Sequence, residues 1–273
     1  MANSKNTPAI ADEQNTALVA ADDYSAYAGS GFENQSSDDY SIPFITILQA
    51  LSPQLEDNPD LRQGMIINTV TNEAVDGKKG IAFIPATTQH VYVEFKPREQ
   101  GGGFVGVHNP TSQVVINAKN ASQSFGKYAT PAGNELIETF YVYGIVVGDD
   151  GSNSQAVLAF TSTKIKKYKN WMTKAKTIQI ALPDGRRIPA PLFAHRYRLT
   201  TIGEKNNKGS FHNWEINFDG ENAVAARLAP SDPLFQSADA IRKLVETGSA
   251  KVDHSGGSDA EATSVSGADD NPF

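Results

Sequence analysis

Short runs of β-branched and aromatic residues alternate along the centre of the chain with breaks rich in Gly, Pro, Asn and Asp. Runs of this kind predict β-strands, and the breaks predict the turns between them. The predicted strands cover residues 42–48, 64–71, 81–84, 91–95, 104–108, 114–116, 136–147, 155–160, 192–201 and 210–218. The segments 149–152 and 203–209 predict loops that join successive strands.

Two segments show helical spacing of apolar residues instead. The first predicted helix has Ser162 or Thr163 as its cap and runs to about Lys176, with lysines on the faces that the apolar residues leave open. The second has Asp232 as its predicted cap, Pro233 as its first residue and Gly248 at its end. The apolar stripe of the first helix consists of Ile165, Tyr168, Trp171 or Met172, and Ala175.

Many short strands and few helices favour a mainly β fold. We predict an OB-fold-like barrel with insertions, one or two helices and disordered termini. The β-rich core is predicted over residues 39–248. Residues 1–38 and 249–273 hold too few branched apolar residues to build a core. We therefore predict a flexible acidic arm before the core and a disordered acidic tail after it.

Charge is distributed unevenly along this chain, whose net charge is −7. Residues 1–40 carry one lysine against seven carboxylates, and residues 249–273 carry one lysine against five. The remaining centre is therefore basic, at +3. Within it, residues 164–208 hold twelve Lys and Arg against two carboxylates, a net charge of +10. This asymmetry predicts a polyanionic partner.

Composition removes several classes of chemistry. The chain has no cysteine, which excludes disulfides, thiolate metal sites and thiol nucleophiles. Its five histidines show no metal-ligand spacing, so we expect no metal and no cofactor. No stretch approaches the ~20 apolar residues that span a bilayer, and the N-terminus lacks an apolar signal core. We expect a cytoplasmic protein without a membrane partner.

The basic segment interleaves cations with aromatic rings, as binding of single-stranded nucleic acid requires. Lysines neutralise phosphates and release counterions, and exposed rings stack on unpaired bases. The candidate residues of the predicted helix are Lys164, Lys166, Lys167, Tyr168, Lys169, Trp171, Lys174 and Lys176. Those of the late strands and their loop are Arg196, Arg198, Lys205, Lys208, Phe211 and Trp214.

Each group also has a purely structural interpretation. The helix could be amphipathic, with Tyr168 and Trp171 buried and its lysines solvated. The late strands could form a hairpin whose aromatic residues enter the core. If residues 196–198 are extended, Arg196 and Arg198 point to one face and Tyr197 to the other.

A separate pattern, Glu94-Phe95-Lys96, has the acid-x-lysine spacing of many metal-dependent nucleases. Asp57 or Asp60 would then have to supply the second metal-binding carboxylate. Three residues of this form occur often by chance, so we prefer a non-catalytic protein and assign no catalytic residues.

The chain ends in Asp269-Asp270-Asn271-Pro272-Phe273, behind a stretch rich in Gly, Ser, Ala and Asp. Phe273 can enter an apolar pocket while its carboxylate and the two Asp side chains meet Lys or Arg around it. This ending resembles the acidic tip of bacterial single-stranded DNA-binding proteins. The whole layout resembles phage-type proteins of that kind. The resemblance implies that Asp269, Asp270, Pro272 and Phe273 recruit replication or repair proteins.

We therefore expect sequence-independent binding of single-stranded DNA in replication, recombination or repair, in the host cytoplasm if the protein is phage-encoded. In tailed proteins of this kind the acidic tip is thought to compete with DNA for the basic groove. The alternatives are a phage structural or adaptor protein that uses the β core for assembly, and a nuclease built around Glu94 and Lys96. The sequence leaves a homo-oligomer and a preference between DNA and RNA open.

Overall fold

Twelve β-strands and four α-helices form in the residues that the computed structural model describes, which are 27, 30–34, 41–124, 126–207, 209–248, 250 and 252. The strands are β1 (Ile45–Ile47), β2 (Ile66–Asn68), β3 (Ala74–Val75), β4 (Ile81–Phe95), β5 (Phe104–His108), β6 (Tyr128–Ala129), β7 (Glu135–Val147), β8 (Asn153–Thr161), β9 (Gln179–Ala181), β10 (Arg187–Pro189), β11 (Tyr197–Asn206) and β12 (Gly209–Phe218). The helices are α1 (Gln54–Asp57), α2 (Gln113–Ala121), α3 (Lys164–Lys176) and α4 (Pro233–Glu246). The prediction of a mainly β protein is confirmed, with more helices than the one or two expected.

The chain divides into two compact units, Met1–Tyr40 and Ser41–Phe273. In the first unit the described residues form a turn in which the Ser30 N–H donates to the Tyr27 carbonyl at 2.9 Å. All the strands and helices named above belong to the second unit. Most of the predicted acidic arm and acidic tail lies outside the described residues, so their boundaries stay predictions.

A seven-stranded antiparallel sheet organises the second unit. Its central strands, β4 and β7, pair from Ala82 opposite Val147 to Phe95 opposite Glu135. On the free side of β4, β11 pairs with the start of the strand and β5 with its end, and β12 follows β11. On the free side of β7 lie β8 and β6. No closed barrel is found in the described residues, so the OB-fold is not confirmed.

The strand β4 merges two predicted strands, 81–84 and 91–95, into one of 15 residues. It continues through Pro85, which has no N–H to give to the ladder. A shift in pairing register between Pro85 and Thr87 absorbs this defect as a β-bulge. The residues between the predicted strands therefore extend the sheet.

The predicted strand 114–116 is wrong, because these residues lie in α2. Short apolar runs do not distinguish a strand from a buried helix. In the structure Val115 and Ala118, three positions apart, pack with Tyr92 and Leu136 of the central sheet. Tertiary contact along one helical face has therefore overridden the strand preference of the valines.

The last predicted strands shift along the chain. Residues Leu192–Ala194 form a 3₁₀ turn, and β11 begins only at Tyr197. The predicted loop 203–209 is mostly strand, since β11 and β12 pair as far as Asn206 opposite Gly209. Gln49 anchors this hairpin through two hydrogen bonds of 2.9 Å with the backbone of His212.

Apolar residues fill both faces of the central sheet. Alternation along β7 directs Tyr141, Tyr143 and Ile145 to one face and Val142 to the other. The first face is covered by α4, whose predicted cap is confirmed: the Asp232 carboxylate accepts a hydrogen bond of 2.8 Å from the Leu234 N–H. The second face is covered in part by α3.

The helices are short. The longest of those described, α4, has 14 residues, and none has the length and apolar content needed to cross a membrane.

Close approach of β4 and β7 near the bulge gives a test of this architecture. A Cβ atom on Gly144 would collide with the Ile84 carbonyl oxygen and the Phe83 ring. We expect Gly144→Ala to lower the free energy of unfolding by about 1–3 kcal/mol, the usual cost of overpacking. Urea unfolding followed by circular dichroism would measure it.

The matched control is Gly203→Ala in β11, where a Cβ would meet nothing within 4 Å. It should change stability by less than about 0.5 kcal/mol. Equal stability of the two variants would contradict the close packing of β4 against β7.

Candidate nucleic-acid interface

The helix α3 presents lysines on its outer side and aromatic rings on its inner side. It follows Thr163, whose side chain makes no capping hydrogen bond, so packing rather than capping holds its start. Inward, Trp171 is buried and Tyr168 is partly exposed. The outward lysines, all exposed, are Lys166, Lys169, Lys174 and Lys176.

The two tryptophans predicted to stack on bases belong to the core. Trp171 is only 4% exposed and Trp214 only 1%. The Trp171 ring lies 5.2 Å from that of Tyr197 and 6.1 Å from that of Phe160, measured between centroids. Since a ring inside the core offers no face to a base, the structural interpretation is right for both tryptophans.

A carboxylate ties α3 to the β11–β12 hairpin. Lys167 Nζ lies 2.6 Å from Glu204 Oε1, and Asn213 Nδ2 donates to Glu204 Oε2 at 2.8 Å. Burial by itself would raise the pKa of Glu204. Hydrogen bonds from Lys167 and Asn213 and the charge of Lys166 outweigh burial and hold that pKa below its ordinary value. Glu204 therefore stays anionic at neutral pH and fixes the hairpin beside the helix.

The hairpin extends the basic surface beyond α3. Lys205, Asn206 and Asn207 are exposed near its turn, and Phe211, opposite Glu204 in the ladder, is partly exposed. Lys208, also predicted to bind, lies outside the described residues. We call the following exposed residues the lysine face: Lys166, Lys169, Lys174 and Lys176 of α3 and Lys205 of the hairpin.

Two predicted residues lie apart from the lysine face. Arg196 and Arg198 flank the start of β11, at the opposite end of that strand from Lys205. Both reach one carboxylate: Arg196 Nε lies 2.5 Å from Asp219 Oδ2, and Arg198 Nη2 lies 2.9 Å from Asp219 Oδ1. Tyr197 between them points into the core, where burial raises its pKa to about 12. The predicted alternation is therefore confirmed, but the charge of the pair is shared with Asp219.

Lys164 also differs from its neighbours on α3, because it is only 7% exposed. A buried ammonium cannot reach a phosphate outside the protein, so we leave Lys164 out of the lysine face. Further along the chain, Arg186 pairs with Asp184 at 2.6 Å, whereas Arg187 on β10 is exposed.

A stack of rings next to α3 was not visible in the sequence. The Phe140 ring lies between those of Tyr168 and His90, at centroid distances of 4.6 and 4.2 Å. Lys169 Nζ lies 6.0 Å from the centre of the Phe140 ring, and His90 Nε2 lies 2.9 Å from Glu138 Oε1. His90 and Phe140 are cross-strand neighbours in the β4–β7 register, which only the strand pairing reveals.

The acid-x-lysine pattern has a structural role in the sheet. Glu94 is 8% exposed and accepts hydrogen bonds from Asn134 Nδ2 at 2.7 Å and from His108 Nε2 at 2.6 Å. Burial would raise the pKa of Glu94, but these bonds outweigh it and lower that pKa. Within the described residues no three His, Asp or Glu side chains are grouped as metal ligands would be.

The lowered pKa of Glu204 predicts an acid-sensitive contact. Its contribution to stability is complete above the ordinary Glu pKa of about 4.3 and is lost as the pH falls through the lower folded value. We expect Glu204→Gln to reduce stability at pH 7 by about 1 kcal/mol or less, since both side chains are partly exposed. In urea unfolding, the difference from the unsubstituted protein should be smaller at pH 3 than at pH 7.

Glu221→Gln, at an exposed position, is the control and should leave stability unchanged at both pH values. A Glu204→Gln effect of the same size at pH 7 and pH 3 would show that Glu204 does not act through its charge.

Comparison with known proteins places this chain in a family. No curated protein and no solved structure matches it. The family model described as Pam3 phage gp34-like protein matches residues 12–251, which is most of the chain. This match supports the bacteriophage part of the resemblance noted above and leaves single-stranded DNA binding a prediction. The chain belongs to the Pam3 phage gp34-like protein family.

Proposed function

We propose that this protein binds single-stranded DNA without catalysing a reaction, and that it does so through the lysine face. The observation that carries the proposal is the charge of this surface. None of its five lysines forms an ion pair within the described part of the chain. The carboxylate that lies beside them, Glu204, is engaged by Lys167 and Asn213. The lysines are therefore available to neutralise phosphates and release counterions.

Partly exposed rings next to the lysines support single strands over duplexes. Tyr168 on α3 and Phe211 on the hairpin each retain some exposure. Rings of this kind stack on unpaired bases with little regard for sequence, at ~1–3 kcal/mol per base. A duplex keeps its bases stacked on one another, so it would gain only the phosphate contacts. We propose that the protein binds single-stranded DNA in this way during DNA replication, recombination or repair.

The proposal does not depend on the OB-fold-like barrel expected from the sequence. A basic surface with adjacent rings is sufficient for binding of this type, and here a helix and a hairpin supply it. Arg196 and Arg198 have a smaller part than the sequence indicated, because Asp219 already balances much of their charge.

Removing charge from the lysine face should weaken the binding of oligo-dT. The substitutions are Lys166→Gln, Lys169→Gln and Lys174→Gln. Each lost phosphate contact should reduce the slope of log K against log salt by about 0.7 for a single strand. The combined variant should therefore lose about 2 from that slope. Anisotropy of a labelled oligonucleotide is the suitable measurement, because both tryptophans are buried and report poorly on a surface site.

The matched control removes three exposed lysines elsewhere, Lys78, Lys96 and Lys127, and so changes the net charge equally. Its salt slope should stay close to that of the unsubstituted protein. Equal slopes for both variants would move the site off α3. If the protein does not bind oligo-dT even at low salt, the proposal is wrong. The lysines would then be solvated surface residues, as in the alternative of a structural or adaptor protein.

We also propose that the tip 269–273 recruits a replication or repair protein. These residues lie outside the described part of the chain, so the proposal rests on the pattern of paired carboxylates before Pro272 and Phe273. The ring and its carboxylate would anchor the tip, and Asp269 and Asp270 would steer it.

Deleting residues 269–273 should abolish capture of the partner in pull-downs from host extract and leave the unfolding transition unchanged. Adding one residue after Phe273 should have the same effect on capture, since it moves the carboxylate off the ring. Removing five tether residues instead, 256–260, keeps the tip and should preserve capture. Capture of the same proteins by all four chains would make the tail a solubilising segment only.

A further inference from the structure

The strand β5 lies at an edge of the central sheet. In the described part of the chain its one strand neighbour is β4, through pairs that run from Tyr92 opposite His108 to Phe95 opposite Phe104. An edge strand presents backbone donors and acceptors that can pair with another strand. Proteins usually protect such an edge with charged residues, with proline or with a covering element.

The surroundings of β5 are apolar and exposed. Eleven large apolar side chains are exposed in the described residues, and five of them lie between residues 104 and 116. Their exposed fractions are 40% for Phe104, 42% for Val105, 42% for Val107, 37% for Val114 and 39% for Ile116. Single exposed apolar residues need no explanation, but Phe104, Val105 and Val107 are neighbours on one edge strand, and such a group marks an interaction surface.

The same segment carries no formal charge. Residues 100–118 contain no Lys, Arg, Asp or Glu, although 20% of the whole chain is charged. Two copies of a protein with a net charge of −7 repel each other across most orientations. This surface is an exception, because it can meet its own copy without bringing like charges together. It therefore complements itself in charge as well as in polarity.

We propose that β5 pairs antiparallel with β5 of a second copy of this chain, about a two-fold axis at Gly106. In this register Val105 lies opposite Val107 of the second copy, and Phe104 lies opposite His108. Directly opposite residues share a face of the sheet, so the two chains bring four valines together on one side.

Glycine at the axis suits this arrangement. A Cβ at Gly106 would meet only His108 Nε2, at 4.0 Å, so the position is open on the side of its own chain. The interface is isologous, since each copy contributes the same surface, and it closes after two copies. The central sheets of both copies become one continuous sheet. This inference does not rest on DNA binding, because it uses none of the lysine face.

The test is a charge exchange across the axis, made in the full chain and measured by sedimentation equilibrium. The unsubstituted protein should have about twice the monomer mass of 29.3 kDa. A chain with Val105→Lys and Val107→Lys places four like charges together and should remain a monomer. A chain with Val105→Glu and Val107→Glu should behave in the same way. An equimolar mixture of the two should restore the dimer, because each lysine then lies opposite a glutamate.

The control chain carries Val70→Lys and Val224→Lys, at two exposed apolar positions outside the surface. It should dimerise like the unsubstituted protein, and circular dichroism should show that all variants are folded. An unsubstituted chain that is monomeric at every concentration would overturn the proposal. So would a dimer that survives the lysine pair, or a mixture of the lysine and glutamate chains that stays monomeric.

Discussion

Pairing between β4 and β7 is the interaction on which the rest of this structure depends. The two strands form 13 residue pairs, and the bulge after Pro85 shifts the register so that pairing continues past the proline. Both faces of the pair are covered by apolar residues, so each strand contributes to two cores at once. A defect at Gly144 or Phe83 would therefore disturb the packing of α3 and the position of the β11–β12 hairpin, as well as the sheet.

The packing of α3 explains why the basic segment contains its aromatic residues. Trp171 and Tyr168 are the residues that attach the helix to the sheet, against Phe83, Phe160 and Phe140. With these rings packed on the sheet, the four exposed lysines of the helix lie on its outer side. Aromatic residues and cations that alternate in the sequence are thus separated in space by the helix. The basic surface of α3 is a consequence of the packing of its rings on the sheet. A substitution at Tyr168 would therefore alter both the packing of the helix and the basic surface.

The sequence predicted correctly those elements whose hydrophobic pattern, caps and turn residues all indicate the same structure. The strand β7, the hairpin into β8, the capped helix α4 and the limits of α3 all followed from local pattern and turn residues. It failed where distant contacts decide. Val115 lies in a helix because one face of that helix packs against Tyr92 and Leu136. Pro85 lies inside a strand because a β-bulge accommodates its missing N–H. The lysines of α3 could be named from sequence, but Trp214 could not be placed in the core, and His90 could not be placed beside Phe140, without the strand register.

The positions of β5 and β11 on β4 bear on how the two proposed surfaces relate. Both strands pair with the same side of β4, but β11 takes Ile81–Phe83 and β5 takes Tyr92–Phe95. Nine residue steps separate Phe83 from Tyr92, about 30 Å at the rise of an extended strand. The β11–β12 hairpin, which contributes Lys205 to the lysine face, therefore leaves the central sheet far from β5. Pairing through β5 would leave the Lys205 end of the lysine face uncovered in each copy.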